Sequence, residues 1–530
     1  MSSVASAFAR TLYGAGVRRV YGLPGEDHLR LLDALPTEGV AYIPARDETS
    51  AAIMATAEAE ATGRPGVVLV TLAPGITNTI NGIAHASMDG VPLLVVSGQH
   101  HPERAPLIVR QSLDTRQLVS GLCKATLTAS ARIHQVLARA LAVALAPPAG
   151  PVLLELRDDV AAAAPLDEPD TWQLETLHAR GSVAVPESVV AHVRTSRAPC
   201  IIVGGACPTD ARSALEHVSQ HLRAPVFTSP SAMGMLAPDH AWFAGTFMNG
   251  NCEAQLLEHS DLILTVGLDA RDFFNSPWRY ATHVVAVNQR EDIQRFISAR
   301  QQVVGDTVAM LEAMCCITSA SEWAPADVER YREALKQPFH LDEDVLTIPS
   351  AVRLARRILP AETLVAVDAG FGKPLTAYLW SAAGPKQYFT AHGLSTMGYA
   401  LPAANALKLT APESPVVAFM GDGSLLMRAS EITVAAEQRI APIYVAWMDG
   451  SLAQIETKQL RQHLAPIGAR VPRLSCAAVA NAFGANGCDV HSLESFEGAL
   501  RAGLTSQRPT LIGAHVDPTR RAEWFELMRG

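Results

Sequence analysis

The feature that most constrains this chain is a repeated alternation: short runs of consecutive apolar, β-favouring residues separated by longer stretches with helical patterning. A strand buried on both faces reads as a continuous apolar run, and parallel neighbours need a long, usually helical, crossover. Three blocks show the pattern. Roughly residues 1–165 contain "RRVYGLPG", "GVAYIPA", "PGVVLVTLAPG", "VPLLVVSGQ" and "GPVLLEL". Roughly residues 185–320 contain "APCIIVGG", "APVFTS", "SDLILTVG" and "THVVAVN". Roughly residues 345–530 contain "TLVAVDAG", "PVVAFMGDGS", "APIYVAWMDG" and "RPTLIGAHV". The expected fold class is α/β, with three domains of parallel sheets flanked by helices at 1–165, 185–320 and 345–530. "AAAAPLDEPDTWQLETLHARG" and "SASEWAPADVERYREALKQPFHLDEDVLT" are polar and Pro-bearing, and read as linkers.

Composition narrows the function classes. A length of 530 residues exceeds one ordinary core, and 48% apolar with 18% charged residues describes a globular protein. The formal charge of −9 is spread along the chain and argues against a nucleic-acid partner. The start has no basic region followed by an apolar one, so no signal peptide is expected. The greasiest stretch, "VLARALAVALAPPAGPVLLEL", is interrupted by Arg139, Pro147, Pro148 and Gly150, too soon for a membrane span. Eight cysteines without a C-x-x-C pair suit a reduced, cytoplasmic setting rather than disulfides or zinc.

One segment of the third block carries chemistry. Val416–Met420 reads as a strand, Gly421-Asp422-Gly423-Ser424 as a tight turn with Ser424 as N-cap, Leu425–Gln438 as a helix, and Ile443–Met448 as the next strand. A right-handed crossover brings Asp422 and Asp449 to the same sheet edge, where open α/β folds bind ligands. Asp449-Gly450 is also a common hairpin turn. The following "SLAQIETKQLRQHL" reads as a helix, not a returning strand, which favours a metal site. Glycines 421 and 423 let backbone amides approach a phosphate, and two carboxylates beside a phosphorylated ligand suit Mg²⁺.

This segment resembles the signature of thiamine diphosphate (ThDP) enzymes, acetolactate synthase-like and benzoylformate decarboxylase-like. The resemblance runs along nearly the whole chain, as pyrimidine-binding, central and diphosphate-binding domains. It is carried also by "VYGLPGEDHLRLLDAL", by "ARDETSAAIMATAEAEATGRPGVVLVTLAPGITNTINGIAHASMDGVPLLVVSGQ" and by "HGLSTMGYALPAA". It implies Mg²⁺ held by Asp422, Asp449 and the Ser451 carbonyl. It also implies ThDP bound by Glu48, Gly75 and Asn78 of the P-G-x-T-N turn, Gly370, Met397, Gly421, Gly423, Ser424 and Leu452. Glu48 matches the acid that drives cofactor ionisation, from within an Ala-rich helix. Met397 matches the apolar wedge under the cofactor. Glu26 occupies a substrate-facing slot, and Gln99 and Gln111 match glutamines at the active-site entrance. His100 and His101 read as loop residues.

The departures are specific. Met448-Asp449 stands where Asn-Asn is usual, adding a charge that helps the cation and opposes the diphosphate. Asp47 replaces the usual His before Glu48, and "TAEAE" (56–60) replaces D-G-Y-A-R. Arg271 lies in a segment that contacts FAD in acetolactate synthases, but "VAVNQREDI" lacks the acidic pattern of that group, which argues against FAD. The implied function is a ThDP- and Mg²⁺-dependent carboligase that decarboxylates a 2-oxo acid and transfers the product to a second carbonyl. The alternatives are a simple 2-oxo-acid decarboxylase and a catalytically degenerate ThDP-fold binding protein. The family arrangement implies a homodimer or homotetramer with active sites at the dimer interface.

Overall fold

A computed structural model of the protein describes residues 3–101, 103, 107–167, 185–272, 277–291, 297, 299–339 and 345–529. It contains three six-stranded sheets. The first holds β1 (Arg19–Gly22), β2 (Ala41–Pro44), β3 (Gly66–Val70), β4 (Leu93–Ser97), β5 (Ala125–Thr128) and β6 (Pro151–Glu155). The second holds β7 (Pro199–Val203), β8 (Val226–Thr228), β9 (Phe243–Thr246), β10 (Leu262–Val266), β11 (His283–Asn288) and β12 (Gln301–Val304). The third holds β13 (Leu364–Val367), β14 (Tyr388–Thr390), β15 (Val416–Gly421), β16 (Ile443–Trp447), β17 (Asn486–Val490) and β18 (Thr510–Ala514). The pairings are parallel in all three. Interior strands β3, β4, β6, β7, β10, β16 and β18 are buried at every position, which explains their unbroken apolar runs.

The first and third sheets share one strand order, β2-β1-β3-β4-β6-β5 and β14-β13-β15-β16-β18-β17. Each therefore has a topological switch point, between β1 and β3 and between β13 and β15. Crevices that accept ligands open beyond the C-terminal ends of strands at such points. The central sheet, β12-β11-β10-β7-β8-β9, switches between β10 and β7.

The first and third domains share a core. The helix Glu48–Thr62 is buried over most of its length, as is the helix Ala400–Thr410, and residues of both belong to a single apolar cluster. Small residues make the close approach possible: Ala51, Ala52, Ala55 and Ala57 on one helix, Ala400, Ala403, Ala404 and Ala406 on the other. Polar ties cross the same boundary. Tyr399 donates to Glu60 at 3.2 Å, Arg46 donates to Thr433 at 2.7 Å, and Arg428 pairs with Asp47 at 3.0 Å.

Several local expectations change. P-G-x-T-N is not a turn but the start of the helix Leu72–Asp89; Pro74 is tolerated there because first-turn N–H groups lack helical partners anyway. The long helix after Gly421 is broken into Asp422–Arg428, a 3₁₀ turn Ala429–Glu431 and Ile432–Glu437. The second expected linker contains the helix Pro325–Lys336, whose Val328 is buried in the central core and whose Tyr331 hydroxyl donates to the Cys252 carbonyl at 2.8 Å. Residues 168–184, in and after the first expected linker, lie outside the described residues. Among the described residues no helix is long and apolar enough to cross a membrane.

Helix packing at the shared core generates a test. A Cβ on Gly82 would lie 2.3 Å from the Ala52 Cβ and 3.3 Å from the Thr49 carbonyl oxygen. Alanine gains about 1 kcal/mol over glycine in helix propensity. Forcing atoms into a filled core costs about 1–3 kcal/mol. The clash wins, so Gly82→Ala is expected to lower the urea midpoint; a raised midpoint would show that the two helices separate freely.

Candidate active site

Three neighbouring strands of the third sheet, β13, β15 and β16, are each followed by an aspartate at or just past the C-terminal end: Asp368, Asp422 and Asp449. Asp422 joins two loops. Its Oδ1 accepts from the Gly423 amide at 2.8 Å and its Oδ2 from the Gly450 amide at 2.7 Å. Burial raises its pKa, and these amides work against that rise.

Ser424 does not cap the helix. Gly421 takes the N-cap position in extended conformation, and the Ser424 hydroxyl donates to Asp368 at 2.8 Å. Asp368 also accepts from the amides of Gly398 and Ala400, each at 2.9 Å. One buried carboxylate thus ties the loop carrying Met397 to the turn carrying Asp422. Burial pushes its pKa up to about 6, against the hydrogen bonds it receives. Asp368 belongs to no motif along the chain; its signal was that of a third aspartate in a set of strand-terminal aspartates.

Around this turn the glycines have distinct surroundings. A Cβ on Gly423 would meet Leu452 Cδ2 at 2.6 Å and Met397 Cε at 3.3 Å, so the wedge residue and Leu452 converge over that Cα. A Cβ on Gly421 or Gly370 would meet nothing within 4 Å, and Gly370 has φ +131°. Room for a ligand therefore lies beside the very positions expected to admit a diphosphate.

Asp449 is held on both oxygens. Oδ1 accepts from the Ser451 amide at 3.2 Å, and Oδ2 lies 2.5 Å from Arg521 Nη2. Burial pushes the Asp449 carboxyl up to about 7; Asp422 adds to the rise and Arg521 opposes it. The loop is fixed further by the Ser451 hydroxyl donating to Glu456 at 2.5 Å and the Leu452 amide donating to the Ala469 carbonyl at 2.7 Å. No sequence signal pointed to Arg521, which reaches the site only through the docking of the final helix, Arg521–Arg529.

The other expected residues form a second group, on the first domain. Asp47 caps the helix Glu48–Thr62, accepting from the Ser50 amide at 3.0 Å and pairing with Arg428, so the residue standing for the usual His is a structural cap. Glu48 follows it, is 6% exposed, and accepts from Asn78 Nδ2 at 3.1 Å. Gly75 is buried; a Cβ there would meet Val70 Cβ at 3.0 Å. Glu26 is exposed on the 3₁₀ turn Glu26–His28, while its neighbour Asp27 is the tied residue, accepting from Thr71 at 2.5 Å and from the Leu72 amide at 3.3 Å. Gln111 is exposed with φ +57°. Gln99 is committed to Thr115 and Glu155, at 2.9 and 3.1 Å. His100 contacts the Arg110 carbonyl at 3.2 Å, and His101 lies near Asp159 at 3.9 Å.

The donor set fits a hard cation: two carboxylates and a backbone carbonyl, all oxygen. Among the described residues no group of three or more His, Cys, Asp or Glu side chains could hold a metal, and the expected set of two carboxylates and a backbone carbonyl does not call for one. Arg271, in the segment that resembles the FAD-contacting one, has its guanidinium taken up by Asp269, at 2.9 Å on both oxygens, and the adjoining cavity of about 210 Å³ is lined by acids and bases together, among them Asp89, Asp272, Arg271 and Lys386.

Two α/β domains of like strand order around a central one, with three strand-terminal aspartates and unfilled glycines at one sheet edge, define the class of the fold. Models of the thiamine pyrophosphate enzyme N-terminal TPP binding domain, central domain and C-terminal TPP binding domain match residues 2–118, 187–314 and 368–514. The chain belongs to the thiamine pyrophosphate (ThDP) enzyme family. It is 30% identical over 525 residues to a probable 2-ketoarginine decarboxylase of Pseudomonas aeruginosa, covering 96% of this chain and 92% of that protein. It is 28% identical over 538 residues to a catabolic acetolactate synthase of Raoultella terrigena, covering 96% and 93%. A thiamine diphosphate-dependent 4-hydroxybenzoylformate decarboxylase of Rhodococcus jostii RHA1 shares the fold, with a TM-score of 0.83 at 20% identity over 97% of this chain and 99% of that one.

Asp368→Ala leaves two buried amides and a hydroxyl without their acceptor, at about 1–3 kcal/mol for each, and is expected to lower both stability and ThDP affinity. Asp368→Asn keeps an acceptor and is expected to be milder. The raised carboxyl, about 6 against an ordinary 3.8, means that its stabilising contribution is full below pH 3.8 and lost as pH rises through 6. The wild-type urea midpoint is therefore expected to fall relative to Asp368→Asn between those values; parallel profiles would show that Asp368 is not charged at such cost.

Proposed function

We propose that the protein is a ThDP- and Mg²⁺-dependent enzyme that decarboxylates a 2-oxo acid and passes the resulting acyl carbanion equivalent to a second carbonyl compound, as acetolactate synthases do. The observation that supports it is that the Asp422 turn, the Asp449–Leu452 loop and Met397 meet, with Leu452 and Met397 closing over Gly423 and open space at Gly421. ThDP, when bound, supplies a carbon nucleophile and then an electron sink for the bond lost with CO₂. Asp422, Asp449 and the Ser451 carbonyl would hold the cation, and the open space at Gly421 and Gly370 would take the diphosphate. Met397 and Leu452 supply the apolar wall. Glu48, buried and hydrogen-bonded by Asn78, would be the acid facing the aminopyrimidine ring. An active site shared between two copies of the chain, in a homodimer or homotetramer, is what the family resemblance implies.

A second reading is decarboxylation without ligation. The relative at 30% identity bears that activity in its name, and Glu26 offers an exposed carboxyl that can return a proton to the product. Aldehyde against ligated product, measured with a panel of 2-oxo acids, separates the two readings. Turnover of none of them, with ThDP and Mg²⁺ present, would leave only the degenerate binding protein.

Glu48→Gln is expected to retain ThDP binding by calorimetry and to lose activity by about two orders of magnitude or more, the scale of a lost proton-transfer group. Glu26→Ala is expected to keep turnover while changing the ratio of aldehyde to ligated product. If neither rate nor ratio moves, Glu26 is only a turn residue.

A further inference from the structure

A position that carries a neutral amide in the family pattern carries a carboxylate here, and a cation from the far end of the chain lies against it. The side chains of Asp449 and Arg521 are 5% and 11% exposed, with Oδ2 and Nη2 2.5 Å apart. Asp422 lies close enough for its charge to bear on Asp449. Two buried carboxylates beside a diphosphate would be costly without compensation. Arg521 is also 3.2 Å from Glu456, whose other oxygen is paired with the exposed Arg470 at 2.8 Å. The guanidinium is therefore shared between two carboxylates, and among the described residues only Glu456 has a second cation.

We propose that Asp449 and Arg521 act as one unit: Asp449 presents Oδ1 to Mg²⁺, while Arg521 offsets its charge at Oδ2, so that the pair replaces a neutral amide ligand. The inference rests on the reading of Asp449 as a ligand. Arg521 is then a positioning residue. It turns the carboxylate so that one oxygen stays available beside the Ser451 amide, and it keeps the local field from opposing the diphosphate. The pairing has a directional consequence. An amide at position 449 that keeps its oxygen on the Oδ1 side turns an NH₂ group toward the guanidinium, donor against donor, and Arg521 loses its nearest counter-charge. The exchange that looks conservative is harmful alone and tolerated only when the cation goes with it.

The test is a four-protein cycle on the full chain: wild type, Asp449→Asn, Arg521→Met and the double variant. Binding of ThDP at fixed Mg²⁺ is measured by calorimetry, with apo-protein melting to confirm folding. Each single variant is expected to weaken binding about tenfold or more, and the double variant to return to within about threefold of wild type. Arg521→Lys keeps the charge without the planar fork, and should bind more tightly than Arg521→Met. Should Arg521→Met not fold, Arg521→Lys and Asp449→Asn carry the comparison. Losses that simply multiply in the double variant, or equal losses in Arg521→Lys and Arg521→Met, would overturn the pairing. Wild-type protein that binds no ThDP would overturn the proposed function and the pairing together, whereas binding with multiplicative losses removes the pairing alone.

Discussion

The packing of the helix Glu48–Thr62 against the helix Ala400–Thr410 organises the rest of the molecule. It merges the cores of the first and third domains, so the two sheets are set relative to each other by apolar burial rather than by a flexible connection. Three features of the candidate site follow from it. Asp47 at the head of the first helix is paired with Arg428. Glu48 is buried next to that cap. The Met397 loop, which leads into the second helix, is fixed by Asp368 and by Thr396 donating to Asn81 at 2.8 Å.

The chemistry of the site is one of managed carboxylates. Asp368, Asp422 and Asp449 lie at the end of three adjacent strands, each buried, and each is handled differently. Asp368 is surrounded by donors and serves as a tie. Asp422 accepts two amides and links two loops. Asp449 has an arginine. Buried charge persists in a fold only where donors or counter-charges accompany it, so the partners of these residues indicate their roles as clearly as the residues themselves. Arg271 follows the same rule, its guanidinium paired with Asp269.

The family and its three-domain order are firm, while the fate of the acyl group divides relatives of nearly equal similarity. Relatives at 30% and 28% identity bear the names of a decarboxylase and a synthase. The difference between those outcomes lies in what stands beside the bound product, proton donor or second carbonyl. Glu26, exposed on the first domain, is the residue proposed above to bear on that choice.

What the sequence by itself determined follows from periodicity and connectivity. Continuous apolar runs separated by helical stretches specify buried parallel strands, and a right-handed crossover then obliges Asp422 and Asp449 to share an edge. Those constraints are local, or span a single crossover, and were legible. Glu48 was legible only by resemblance, because an acid at a helix start is common on any surface. The Ser424 cap was misread, since Gly421 could take the cap position and a buried acceptor claimed the hydroxyl. Asp368 as a tie, Asp47 as a cap braced by Arg428, and Arg521 as the counter-charge of Asp449 were decided by the tertiary structure alone. Each depends on segments remote in sequence that meet only when cores merge or a final helix docks, and no residue pattern along the chain encodes which cation comes to rest beside which acid.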